Sequence, residues 1–367
     1  MRIHTYLILH KDGRPKYQLI CATVLALLLW GPSTLFADLN TLERIITAER
    51  QVGYVGIRLR TFSSSRGVRT LEEYVIHKPE DAAYRKVVSV VGEHKALGGQ
   101  QNRDENRRDN NRRRNQDENN RDNRRRDRER ENWRQIRRLF SEKEIKLIAQ
   151  NYNLEQRPSD EKIAGHETDI LIISPKLEGK PTKHIFFARK NGIILRVEDL
   201  DAAGILREMF VYTRISFDPE TVKNKWNAVQ AELRPQSRRS RSVPIAEAEK
   251  ILKTKLIQPE YLPPGFQLQD IRSVKNRGRD LIFLEYTDGL VNFTLFEEED
   301  RPRRQDDRER EGTEIEIGGT TVYQRKFGST DAFRWSGTKI RFSLVGAVPM
   351  TEMQKVVESI IHKTEKK

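Results

Sequence analysis

From Gly98 to Arg130 the chain is almost wholly Arg, Asn, Asp, Glu and Gln and offers no apolar side chain. Such a stretch cannot offset the conformational entropy lost on ordering, about 1–2 kcal/mol per residue, so it reads as a disordered loop. Whatever the chain folds into must be built from the segments on either side. Arginine tracts invite an RNA-binding reading, but acidic residues interrupt this one throughout and no aromatic residue interleaves it. A solvated tether or a weak contact with an anionic surface suits that pattern better than a nucleic-acid site.

The tract also locates the charge. Of the formal net charge of +14, the first 37 residues carry about +3, Gln101 to Arg138 about +6, and Arg234, Arg238, Arg239 and Arg241 about +4. What remains is nearly neutral, so no basic binding face is expected on a folded core.

Ahead of the first folded segment, Arg2, Lys11, Arg14 and Lys16 precede an apolar run from Leu19 to Trp30, then Pro32 and Ala37 before Asp38. This reads as an export signal cleaved after Ala37. The apolar run is shorter than the roughly 18 to 20 residues that a spanning helix needs, which argues against a retained anchor. Cys21, the one cysteine, lies at the start of that run and not after it, so a lipid-modified cysteine is not expected. A mature chain from Asp38 then holds no thiol, which excludes disulfides, thiolate metal sites and cysteine nucleophiles.

Periodicity predicts the elements. Leu39, Leu42, Ile45, Ile46 and Ala48 recur at helical spacing. Strands follow from Tyr54 to Phe62, where Val55, Ile57, Leu59 and Thr61 share a face against Gly56, Arg58 and Arg60, then from the Ser63–Gly67 turn through Ile76, and from Tyr84 to Val91. Beyond the charged tract, Trp133, Ile136 and Phe140 resume apolar spacing, and Ser141 with Glu144 forms a capping-box pattern ahead of Ile145, Leu147 and Ile148. Strands are expected at Glu167 to Ile173, Lys183 to Ala188 and Gly192 to Asp199. The last two are joined through Asn191-Gly192, a pair that tolerates the positive φ of a tight hairpin. A turn at Asp201 to Gly204 leads into Leu206 to Phe217, and a short helix follows around Trp226.

A Pro-, Ser- and Arg-rich stretch at 233–243 marks a domain boundary, giving domains at 38–232 and 244–367. The second starts with a helix entered at Pro244 and carrying Ala248, Ile251, Leu252 and Leu256. Strands are predicted at Phe266 to Val274, Asp280 to Tyr286, Leu290 to Glu297, Thr320 to Phe327, Ala332 to Trp335 and Lys339 to Val345. A charged loop at 298–312 interrupts them, and a closing helix carries Met353, Val356, Val357 and Ile360. The class is α+β, with antiparallel meanders in both domains.

The chain has no nucleophile elbow, phosphate-binding loop, zinc-protease helix or dinucleotide fingerprint. His77, His94, His166 and His184 lack ligand spacing. No catalytic residue, cofactor or metal site is therefore expected, and the chain reads as a binding protein.

Several segments carry a resemblance. Leu262, Pro263, Pro264, Gly265 and Phe266, then Tyr286, Thr287, Asp288, Gly289 and Leu290 with the strand ending at Phe296, and Val345 to Pro349, resemble the C-terminal domain of the RseB/MucB family. Ala347 departs from that pattern, which commonly has an acidic residue there. Val52 to Gly56, Ile163-Ala164-Gly165-His166 with Pro175, and the Asn191-Gly192 hairpin with Leu206 to Phe217 are similar to the LolA-like domain shared with lipoprotein carriers.

The resemblance implies a LolA-like unclosed antiparallel β-barrel with covering helices, followed by a smaller mixed α/β domain. It implies a periplasmic regulator that binds the periplasmic segment of a membrane-spanning anti-sigma factor, with lipid or lipoprotein acyl chains as possible ligands of an apolar groove. A lipid or lipoprotein carrier of LolA type is the alternative, and the second domain speaks for regulation. On this view the candidate ligand- or partner-binding residues are Tyr54, Ile57, Leu59, Tyr74, Ile194, Met209, Phe210, Tyr286, Asp288 and Leu290. No nucleic acid is expected as a partner, and the sequence leaves the oligomeric state open.

Deleting Gly99 to Arg130 should leave thermal unfolding nearly unchanged in midpoint and cooperativity. A large loss of cooperativity in calorimetry would show that the tract is packed.

Overall fold

A computed structural model describes residues 33–64, 67–79, 81, 83–95, 134–136, 140–233, 240–276, 279–300, 312–327 and 330–365. Residues 1–32 of the expected export signal, the 98–131 insertion, and most of the expected linker and of the 298–312 loop lie outside the described residues.

The first described element is α1 (Ser33–Gln51), whose Leu42, Ile45, Ile46 and Ala48 are buried at the spacing read from sequence. It continues through β1 (Tyr54–Ser64), β2 (Gly67–His77), β3 (Ala83–Lys95) and the two-residue β4 (Arg134–Gln135). Helix α2 (Glu142–Asn151) carries the expected capping box between Ser141 and Glu144. After it come β5 (Tyr152–Ile163), β6 (His166–Pro175), β7 (Thr182–Ala188), β8 (Ile194–Leu200), β9 (Leu206–Ser216) and α3 (Pro219–Val229). These nine strands form one antiparallel sheet in the order β4-β3-β2-β1-β9-β8-β7-β6-β5. Two meanders meet at the β1 and β9 pair, and the sheet does not close into a barrel.

A second antiparallel sheet has the order β10-β11-β12-β13-β17-β16-β15-β14. Its strands are β10 (Ser240–Ser242), β11 (Gln267–Asn276), β12 (Arg279–Thr287), β13 (Asn292–Glu299), β14 (Thr313–Ile317), β15 (Thr320–Phe327), β16 (Thr330–Ser336) and β17 (Ile340–Gly346). Helices α4 (Ile245–Leu252) and α5 (Met350–Glu365) bury Ala248, Leu252, Met353, Val356, Val357 and Ile360 in one core with Leu284, Phe293, Leu295, Phe333 and Phe342. Helix α4 is shorter than its apolar spacing suggested. Lys253 takes the left-handed conformation at φ 58° and ends the helix, so Leu256 is buried from the loop beyond.

Four strands escaped the sequence reading, β4, β5, β10 and β14, and all four are edges. β5 is largely exposed, polar and interrupted by Pro158, which an edge tolerates because one side of its backbone has no partner. β14 alternates Glu with Ile at the far edge of the second sheet.

The covered face of β1 carries its arginines. Helices α1 and α2 cover the face of the first sheet that bears Leu171, Ile185 and Val197. Cross-strand partners run from those residues through Phe210 to Arg60, which places Arg60 and Arg58 on this same face. Arg58 is 6% exposed, whereas Ile57 and Leu59 on the other face are only half-buried. The arginine is tolerated because Glu73, directly opposite and fully buried, meets it with Oε2 at 2.8 Å from both Nε and Nη2. Arg85 also pairs with Glu73, Arg60 lies 3.9 Å from it, and Glu208 takes Arg60 at 2.6 Å. The Arg58 guanidinium lies 4.5 Å from the Phe210 ring centroid. Burial pushes the neighbouring Tyr212 phenol up to about 12. This end of the helix-covered face is therefore filled by matched charges and aromatic rings. The opposite face takes α3, through Val222 and Trp226 on Val55, Ile76 and Tyr84.

Glu73→Gln keeps the volume but removes the counter-charge of Arg58 and Arg85, and should cost about 3–5 kcal/mol in denaturant unfolding, as for other broken buried pairs. Unchanged stability would show the cluster to be solvated.

Candidate functional site

The β12–β13 hairpin tip is shaped by its own sequence. Asp288 Oδ1 accepts from the backbone N–H of Leu290 at 3.1 Å and of Val291 at 2.9 Å, and Thr287 Oγ1 accepts from Gly289 N at 3.0 Å. Gly289 has φ +103°, and a Cβ there would come within 2.6 Å of Ile148 N and 2.7 Å of Glu144 O. Glycine is needed twice over, for the left-handed backbone and for the flat approach of the tip to α2.

That approach lets Asp288 reach the first sheet. Its Oδ2 accepts from Tyr152 Oη at 2.8 Å and from Lys180 Nζ at 2.7 Å. Asn151 Nδ2 donates to the carbonyls of Asp288 at 2.9 Å and Gly265 at 3.2 Å, and Lys180 donates to the Pro264 carbonyl at 2.8 Å. Leu290 packs against the cores of both sheets. Two loops of the second sheet thus clamp the junction of α2 and β5. Side-chain exposure is 0% for Asp288 and 10% for Lys180, so the pair is sealed from water. Burial first, and then the charge and hydrogen bond of Asp288, hold the Tyr152 phenol protonated far above its ordinary range.

Beside this joint a cleft of about 890 Å³ opens between the sheets. Residues 181–183, 199–203 and 207–208 line it from the first sheet's side, and 289–292 and 347–350 from the second, together with Lys326 and Asp331. Ion pairs of Lys183 with Asp199 and of Arg207 with Asp201 hold the first wall in place. A second cavity of about 240 Å³ adjoins it, with Leu177, Pro263, Phe266, Val291 and Val348 in its lining.

The ten residues singled out from sequence fall into separate places. Tyr54, Ile194 and Phe210 lie on the helix-covered face of the first sheet. Ile57, Leu59, Tyr74 and Met209 follow the opposite face, since Ile57 pairs with Tyr74 and Thr61 with Met209. Tyr286 is 1% exposed in the second core and stacks on Phe293 at 4.9 Å. Asp288 and Leu290 lie together at the joint, and Leu290 reaches the cleft. Asn151, Tyr152 and Lys180 were not foreseen. They meet Asp288 from more than a hundred residues away in sequence, and no local spacing signals such a contact.

Among the described residues no group of three or more His, Cys, Asp and Glu is placed to hold a metal ion. No described helix is long and apolar enough to cross a membrane.

A family model for the MucB/RseB N-terminal domain matches residues 40–230. No curated protein matches the chain by sequence. Among solved structures, MucB in complex with MucA(peri) is 18% identical with a TM-score of 0.50, covering 88% of this chain and 97% of that one. The Pseudomonas aeruginosa MucA/MucB complex is 16% identical with a TM-score of 0.49, covering 88% and 98%. MucB without a partner is 17% identical with a TM-score of 0.45, covering 87% and 96%. At such identities the first of these shows likeness of fold alone.

Lys180→Met should leave the buried Asp288 carboxylate unmatched and loosen the joint. Hydrogen exchange should then quicken at 151–152 and 287–291 while the central strands of each sheet stay protected. Exchange like that of the parent chain would show that the pair does not hold the sheets together.

Proposed function

The chain belongs to the MucB/RseB family, and from that premise we propose that it is a regulatory binding protein of an envelope-stress pathway that holds the periplasmic segment of a membrane-spanning anti-sigma factor. The observation that carries this reading is the 890 Å³ cleft beside a locked joint. Its size falls in the range of preformed ligand sites, about 300–1,000 Å³, and its walls combine apolar residues with fixed ion pairs. A relative of similar fold, MucB, is seen in complex with MucA(peri), which supports a protein segment as the occupant. Binding alone gives such a protein its effect, by keeping the bound segment from other hands, and no catalytic step is needed.

In this reading 38–232 and 244–367 are two domains, the first LolA-like, and the chain works in the periplasm. Removal of a signal near Ala37 leaves every described buried residue of α1 in the mature protein, because these begin at Thr41 and Leu42.

The smaller cavity favours a second reading, in which a lipid or lipoprotein acyl chain enters between Leu177, Pro263, Phe266 and Val348. Each methylene buried there contributes about 0.8 kcal/mol before costs. That is enough for a few methylenes to bias the neighbouring cleft toward or away from its partner. Carriage of LolA type would use the same cavity for transport.

Hydrogen exchange on the full chain with and without the anti-sigma periplasmic segment tests the first reading. Protection is expected at 181–183, 199–208, 289–292 and 347–350. A complex that protects none of these segments would place the partner elsewhere and remove the cleft from the account.

A further inference from the structure

Asp331 lies near the start of β16 on the second-sheet wall of the cleft, with Lys326 of β15 and Gly346 of β17 as its cross-strand partners. It is 7% exposed, and its Oδ1, closed off from solvent, has no hydrogen-bond partner. The other carboxylates that line the cleft are all engaged. Glu144 accepts from Ser141 N, Asp199 pairs with Lys183, Asp201 with Arg207, and Glu208 with Arg60. Lys326 is exposed. Asp331 is thus the exception among the described residues lining this space, and a buried carboxylate with an unmet oxygen is costly to keep.

We propose that Asp331 is the anchor for a lysine or arginine side chain of the segment bound in the cleft. This rests on the reading of the cleft as the partner's seat. Asp331 lines the cleft with one oxygen unmet, so a cation that enters beside it supplies both the hydrogen bond and the charge once the carboxylate turns toward the space, whereas a neutral amide supplies only the first. Val348 and Pro349 line the same wall. They suit the aliphatic stem that a lysine or arginine lays along apolar surface while its head seeks a polar partner. Arginine is the better fit, because its planar head can meet a carboxylate with two parallel bonds. The arrangement makes Asp331 a determinant of which segments are accepted: those that place a basic residue opposite β16 are favoured, and those that place an acidic one there are rejected.

The test uses the full chain and butylguanidinium, with its neutral isostere butylurea as control, followed by NMR. Butylguanidinium should shift the resonances of Asp331, Gly346 and Val348, and both butylurea and the Asp331→Asn variant should lower affinity by about tenfold or more. Asp331→Asn removes an unmatched charge, so its thermal midpoint should equal or exceed that of the parent chain. Asp331→Ala serves as a second variant with the same expected loss of binding. Equal binding by either variant, or by butylurea, overturns the anchor. A second arm repeats hydrogen exchange with the anti-sigma segment on the parent chain and on Asp331→Asn. Unaltered affinity and cleft protection in the variant reject the anchor and leave the cleft reading standing. Absence of cleft protection in the parent chain rejects the cleft reading, and the butylguanidinium titration still decides whether Asp331 binds cations.

Discussion

The carboxylate of Asp288 is sealed from water, and the cation that matches it is supplied by the other sheet. Its side chain is fully buried at a hairpin tip of the second sheet, and its partners Lys180 and Tyr152 belong to the first. Neither sheet can satisfy this group alone. An unmatched ion in such a place costs several kcal/mol, so the two sheets favour one relative placement over others. The cleft exists because of that placement: Gly289 and Leu290, which belong to the tip, also form part of its wall.

The same physics recurs on the first sheet with a different result. Glu73 is matched within its own sheet by Arg58 and Arg85, and the cluster fills one end of the helix-covered face where an apolar hollow was expected. Among the described residues, space for a guest opens between the two sheets. Helices α1 and α2 then have two tasks. They cover the remaining apolar part of that face, and α2 offers the backbone surface on which the second sheet's hairpin rests. Coupling between a partner in the cleft and an acyl chain in the adjoining cavity needs no long path, since Val291 and Val348 line both spaces.

Much of this architecture was legible in the sequence. The capping box at Ser141 and Glu144, the Asn191-Gly192 turn, and the meanders around them follow from local rules that act within a few residues. What could not be read depends on long-range compensation. Alternation along β1 separated Arg58 from Ile57 and Leu59 but could not say which face is covered, because the counter-charge of Arg58 lies on another strand. β5 was missed because an edge strand that is largely exposed and polar has no hydrophobic period to display. Leu256 followed helical spacing, but the left-handed Lys253 had already ended the helix. For the site, Asp288 and Leu290 stood out through the family resemblance of their segment, while Asn151, Tyr152 and Lys180 carry no local sign of the role they share.

The central claim is that Asp288 and Lys180 couple the two sheets, and a double-mutant cycle on the full chain measures it most directly. Equilibrium unfolding of Asp288→Asn, Lys180→Met and the combined variant should give an interaction energy of about 0.5–3 kcal/mol, with the double variant less destabilised than the two single losses together. Losses that add to within about 0.3–0.5 kcal/mol would show that the two residues act independently, and would contradict the account.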